Sequence, residues 1–311
     1  MNINPMSRRA FIQTTAIATT ALAAGVNRTL AAGVSWPIGC FNRPWMQKFG
    51  SKTQPIATPQ RANWGFVAAL KGIKEAGYDT VGLLTPMPDE PFIAAHATDE
   101  YLAKLKERIS NSGLKANMGS LRVSTDASLE DATKDVRRQI DHAEFLNLEW
   151  LLTFGVDKKE YYETYYKLMS DAADYAEARK IKLVMKPHGG SSGTAEGIET
   201  SLSKVNRPNF KIWFDAGNIV YYDGKDPVEE LKPIVQYVTG FCAKDCGQKH
   251  GEVMIQFGTG KADFNGVYKV LKAGGFNGPS FVECADGKTF EEVTKNARAN
   301  REFLEKIFAA L

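Results

Sequence analysis

From residue 35 to the C-terminus, short runs rich in β-branched and aromatic residues alternate with longer stretches whose apolar positions recur every three or four residues. A period of two predicts strands and a period near 3.6 predicts helices. Eight apolar runs stand out: WPIGCFN (36–42), DTVGLLT (79–85), LKANMGSLRV (114–123), EWLLTFGV (149–156), IKLVMKP (181–187), FKIWFDA (210–216), VTGFCAKD (238–245) and PSFVECA (279–285). Between them, Ala132, Val136, Ile140 and Ala143 make a helical stripe, opened by Ser128 with Asp131 three residues on as a capping pair. Tyr162, Tyr165, Met169, Ala172 and Ala176 make another, whose tyrosines are expected to pack on the sheet rather than form an aromatic ligand box.

Strands that alternate with helices build a parallel sheet joined by crossovers. Eight such units, the last helix running from about 290 to 311, favour the α/β class and a single (β/α)8 TIM barrel over an open doubly wound sheet. The length of 311 residues accommodates it, because these barrels take about 250. No dinucleotide-binding glycine pattern follows the first run, where GCFNRPW stands. GTGK (258–261) lacks the spacing of a phosphate-binding loop and reads as a tight turn before a helix capped by Asp263.

The N-terminus changes the domain picture. SRRAFIQ (7–13) followed by TTAIATTALAAG has the charged, then mildly apolar, then small-residue layout of an export signal, and its paired arginines resemble a twin-arginine signal. Residues 1–32 are therefore expected to be a signal peptide and 33–311 the barrel, with a periplasmic or otherwise exported product. The apolar run is short and interrupted for a membrane span, so no permanent anchor is expected. The signal carries Arg8, Arg9 and Arg28 and no acid, so 36 of the 39 basic residues remain after cleavage, against 36 acids. A neutral mature chain lacks the basic footprint of a nucleic-acid binder. Cys40, Cys242, Cys246 and Cys284 show no C-x-x-C spacing and are expected to be buried free thiols.

A barrel of this type carries its chemistry at the C-terminal ends of the strands. There the fifth to eighth runs end in Lys186 and His188, Asp215 and Asn218, Lys244 and Asp245, and Glu283. Burying so many ionisable groups around one mouth is costly without a ligand or a metal. A protonated Lys186 would hold a substrate oxygen or stabilise an enolate; a neutral one would be a base. Asp215, Glu283 and His188 make an open three-ligand site for a divalent metal, with Glu252 as a fourth ligand or an acid/base. Blander roles stand beside these: Asp215 as a turn cap, Asn218 as a left-handed turn residue, Lys244 and Asp245 as a structural ion pair. Trp213 is either barrel core or a stacking floor for a sugar, and GGSSGTAEG (189–197) either a flexible loop or an anion-binding turn.

Taken together, IKEAGYDTVGL (73–83), FDAGN (214–218), AKD (243–245), GTGKADF (258–264) and GPSFVEC (278–284) make the chain resemble the xylose isomerase-like superfamily over essentially all of 33–311. That superfamily includes sugar-phosphate isomerases and epimerases, ketohexose epimerases, inosose dehydratases and endonuclease IV. The resemblance implies a divalent metal held by a strand-five glutamate, a strand-six aspartate, a strand-seven histidine and a strand-eight glutamate. Asp215 and Glu283 match two of these; Lys186 stands at the glutamate position and Cys242 at the histidine position, while a frequent strand-two glutamate falls on Gly82. The implied activity is a sugar isomerase or epimerase that abstracts a proton α to a carbonyl, with Lys186, Glu283, Glu252 and Lys244 as catalytic candidates and His188, Trp213 and Asn218 as substrate contacts. A keto-sugar (3-keto-glycoside) lyase or hydratase, or a non-catalytic sugar-binding barrel, are the alternatives. The expected partner is a small-molecule carbohydrate, not a nucleic acid, and a homo-oligomer is compatible with this reading. Four histidines in all are too few for a trinuclear zinc nuclease.

Overall fold

The computed structural model describes residues 33–46 and 64–311, and the statements below concern these. The expected signal, 1–32, lies outside them. Gly33–Leu311 forms one compact unit. All eight expected runs contain strands: β1 (Ile38–Phe41), β2 (Thr80–Leu83), β3 (Lys115–Ser120), β4 (Trp150–Thr153), β5 (Lys182–Met185), β6 (Phe210–Asp215), β7 (Val238–Ala243) and β8 (Ser280–Val282). They pair in parallel in sequence order and close through β1 against β8, giving a (β/α)8 barrel.

The helices are α1 (Gly65–Glu75), α2 (Asp99–Asn111), α3 (Leu129–Phe145), α4 (Tyr162–Glu177), α5 (Ala195–Val205), the short α6 (Ala216–Asn218) and α7 (Pro227–Leu231), α8 (Phe264–Ala273) and α9 (Phe290–Ala310). None of them is long and apolar enough to cross a membrane. Their starts follow local chemistry. Ser128 accepts from Asp131 N–H at 3.1 Å as its spacing predicts, Asp263 accepts from Gly266 N–H at 2.9 Å, and Thr289 forms a full capping box with Glu292. On α4, Tyr165 is buried, its hydroxyl 3.3 Å from Thr153 Oγ1, so the tyrosine stripe packs on the sheet.

Strand alternation divides the core in two. One set of side chains meets the helices; the other, Phe41, Leu84, Met118, Trp150, Leu152, Val184, Trp213, Cys242 and Phe281, packs together as a second cluster that fills the barrel. Four aromatic rings share that interior, Trp213 meeting Trp150 at 5.3 Å and Phe281 at 5.7 Å, and Phe41 meeting Phe281 at 5.2 Å between ring centres. They fit because strand glycines leave room: a Cβ on Gly240 would lie 2.0 Å from the Trp213 ring, and one on Gly82 2.3 Å from the Phe41 ring. The four cysteines are buried and free.

Candidate active site

The interior set continues past the strand ends with the same period of two. Phe41 is followed by Arg43, Val184 by Lys186, Trp213 by Asp215, Cys242 by Lys244 and Phe281 by Glu283, so five strands each deliver a charged side chain one layer above the apolar filling. The corresponding ends of β2 and β4 carry Leu84 and Phe154. The mouth thus has a side of interlocked charges and a more apolar side, where Arg122, just beyond β3, lies 5.0 Å from the Phe154 ring centre and donates to Leu84 O.

On the charged side the groups interlock. Lys186 Nζ lies 3.0 Å from Asp215 Oδ2 and donates to Glu283 Oε2. Lys244 Nζ lies 3.1 Å from the same Asp215 oxygen and 3.2 Å from Glu283 Oε1, and donates to Asn218 Oδ1. Arg43 donates to Glu283 Oε1, and Cys242 Sγ donates to Glu283 Oε2 at 2.8 Å. Lys186, Asp215, Lys244 and Glu283 are all buried. Burial alone would lower the Lys186 pKa, but Cys242, Glu283 and Asp215 hold it well above the ordinary lysine value. Burial alone would raise Glu283, yet Lys186, Lys244 and Arg43 hold it well below the usual carboxylate range. Both are ionised at neutral pH, and the lysine is a donor, not a free base. Burial, with Asp215 and Glu283 nearby, pushes the Cys242 thiol up, so it keeps its proton.

The remaining candidates fall around this cluster. Asn218 donates its amide to Pro187 O at 2.6 Å and its backbone N–H to Asp215 Oδ1 at 2.8 Å. Its φ of −71° is right-handed, so it is not the left-handed turn residue considered from sequence. Asp215 therefore caps the turn with one oxygen and faces the lysines with the other. His188 sits at the rim, both ring nitrogens within 3.1 Å of Tyr222 Oη, and burial with Lys186 and Lys244 lowers its pKa to about 3. Trp213 is fully buried in the filling below the cluster, which makes it core; Phe154, part-buried and 5.3 Å from the His188 ring, is the aromatic surface at the mouth. Glu252 is exposed, its Oε1 accepting from Val253 and Met254 N–H at 3.2 and 3.0 Å.

Two structural readings need correction. Lys244 and Asp245 are not a pair: successive residues of an extended segment point oppositely, and Asp245 instead accepts from the backbone N–H groups of Cys246, Gly258, Gly260 and Ala262 at 2.8–3.1 Å. Residues 189–197 are not an open loop. Ser191 and Ser192 are buried, Ser191 Oγ accepting from Val156 N–H and Ser192 Oγ accepting from His188 N–H and donating to Phe154 O.

Among the described residues, Asp215, Cys242 and Glu283 form the group with metal-ligand spacing, their ligand atoms lying within 4.8 Å of one another. His188 is not part of it. The surroundings do not suit a resident divalent ion, because both carboxylates already face two ammonium groups. Unit charges 4 Å apart interact by about 4 kcal/mol at an effective dielectric of 20, and a dication here would meet about twice that repulsion from each lysine.

Arg43, Cys242 and Tyr222 were not among the sequence candidates. The signal for Arg43 is its place two residues beyond Phe41, the same phase that marks Lys186, Asp215, Lys244 and Glu283. Tyr222 carries no comparable signal, because it lies in a π-helical turn, Ile219–Asp223, after β6.

Fold and site together define a (β/α)8 barrel with a buried charged cluster at the C-terminal ends of its strands, the face on which such barrels carry ligand sites. The chain belongs to the xylose isomerase-like TIM barrel family, which it matches over residues 70–307. It is 23% identical over 235 residues to the L-ribulose-5-phosphate 3-epimerase UlaE of Salmonella heidelberg, covering 68% of this chain and 78% of that protein. Its fold is similar to that of D-allulose 3-epimerase from Methylomonas sp., with 18% identity, a TM-score of 0.65, and 89% and 99% of the two chains covered. It is also similar to a xylose isomerase-like TIM barrel protein from Mycobacterium smegmatis, solved in complex with magnesium, with 17% identity, a TM-score of 0.67, and 89% and 97% covered.

Proposed function

We propose that the protein is an exported sugar isomerase or epimerase that removes a proton from the carbon next to a carbonyl. The observation that carries this reading is the charge balance of the buried cluster: Lys186, Lys244 and Arg43 outnumber Asp215 and Glu283 by one, and by two once Glu283 has taken a proton. Loss of an α-proton places one negative charge on the carbonyl oxygen, and preorganised donors aimed at that oxygen are the usual means of stabilising it. Lys186 and Lys244 supply those donors. Glu283 takes the proton; its basicity rises when a carbonyl oxygen draws the two ammonium groups away from it. Asn218, His188 and Tyr222 contact hydroxyls at the rim. The export signal expected at residues 1–32 favours a free or oxidised sugar over a sugar phosphate, which is scarce outside the cytoplasm.

The test is incubation with ketoses, aldoses and 3-keto-glycosides in heavy water, read by NMR and mass spectrometry. Deuterium at the carbon beside the carbonyl, with an altered configuration or carbonyl position, is the expected result. Release of the glycosidic substituent instead would make the enzyme a lyase that uses the same first step. Binding without exchange across the panel would leave a sugar-binding barrel and overturn the proposal. Glu283→Gln is expected to lower kcat by about 10²–10⁴-fold, and Lys186→Met by about 10²–10³-fold.

A further inference from the structure

Lys186 Nζ has three neighbours that matter together: Asp215 Oδ2 at 3.0 Å, Glu283 Oε2 in a direct hydrogen bond, and Cys242 Sγ at 3.9 Å. These residues are the same three that bring metal-ligand atoms within 4.8 Å of one another. The ammonium contacts every member of the ligand group, which is the position a bound cation would take. We propose that Lys186 is the built-in cation of this site, occupying the position of a divalent ion and excluding one.

Neighbouring residues fit this arrangement. Lys244 bridges the same two carboxylates from another side, and Arg43 binds Glu283 from the turn after β1, so neither carboxylate lacks a counter-charge. Backbone geometry holds Lys186 in place: its N–H donates to Thr153 O at 2.8 Å, and Pro187 O just beyond it is fixed by Asn218. Lys186 follows Val184 of the interior layer by two residues, so its side chain leaves the strand end on the same inward face. The inference concerns how the carboxylates are neutralised and is independent of the reaction proposed above.

Removing the ammonium should expose a latent metal site of two carboxylates and a thiolate, Cys242 giving its proton to solvent as the sulfur–metal bond forms. The experiment titrates Co²⁺ into the whole protein, with calorimetry for stoichiometry and near-ultraviolet absorption for a thiolate-to-cobalt band. Wild type is expected to bind no stoichiometric Co²⁺. Lys186→Ala is expected to bind one equivalent, tighter by at least about a thousand-fold, with the band present and then lost in Lys186→Ala/Cys242→Ser. Lys186→Gln, which keeps more of the stem's packing, takes its place if Lys186→Ala does not fold. One equivalent bound by wild type and lost in Asp215→Asn would overturn the proposal. So would equal, negligible binding by wild type and a folded Lys186 variant, because the lysine would then not be what excludes the ion. Neither result bears on sugar exchange in heavy water.

Discussion

Lys186, Asp215, Lys244 and Glu283 are legible in the sequence because each follows an apolar run by one phase-matched step. Their partners are not, since hydrogen bonds across the mouth join residues as far apart as Arg43 and Glu283. His188 illustrates how such surroundings act on one side chain. Burial and the two lysines hold its pKa at about 3, against 6.5 for an unperturbed histidine. Between those values the unfolded chain binds a proton that the folded chain refuses, so stability is full above pH 6.5 and falls as the pH drops toward 3. Glu283 works in the same direction at lower pH, since its depressed pKa contributes stability that is lost as the pH falls below about 4.5. His188→Gln is therefore expected to flatten the decline of Tm between pH 6.5 and 5, where Glu283 contributes little. Melting curves that fall in parallel for the two proteins would refute this account.

Element boundaries follow short-range chemistry, and for that reason they were readable. The Ser128–Asp131 cap and the Asp263 cap both depend on residues three apart. Asp245 shows what escapes such reading: it appears to a sequence as the neighbour of Lys244, yet its carboxylate collects four backbone N–H groups spread from Cys246 to Ala262. The Cys246 and Ala262 N–H groups are buried, and an unsatisfied buried N–H costs about 1–3 kcal/mol, so Asp245→Ala should lower Tm and speed amide exchange at Gly258, Gly260 and Ala262 ahead of the strands. Exchange there at the wild-type rate would show that the loop is held by something else. The interior glycines belong to this scale too. A one-sequence pattern marks Gly240 only as a weak spot in a strand, whereas its role is to admit the Trp213 ring.

For the whole molecule, the paired Arg8 and Arg9 carry a prediction independent of the barrel. Replacing both by lysine should leave the chain at precursor size in the cytoplasmic fraction, while the unaltered protein appears shorter outside it; equal export of both would remove the twin-arginine reading. What the sequence determined by itself is the order of eight strands and helices and the face of each strand that turns inward, because periodicity and capping are properties of residues a few positions apart. The tertiary structure alone decided what the inward residues meet. Closing β8 onto β1 brings Arg43 to Glu283 across 240 positions, and the cluster it completes pairs ammonium with carboxylate where a metal site was expected. A charge's partner depends on distance through space, and only barrel closure sets that distance.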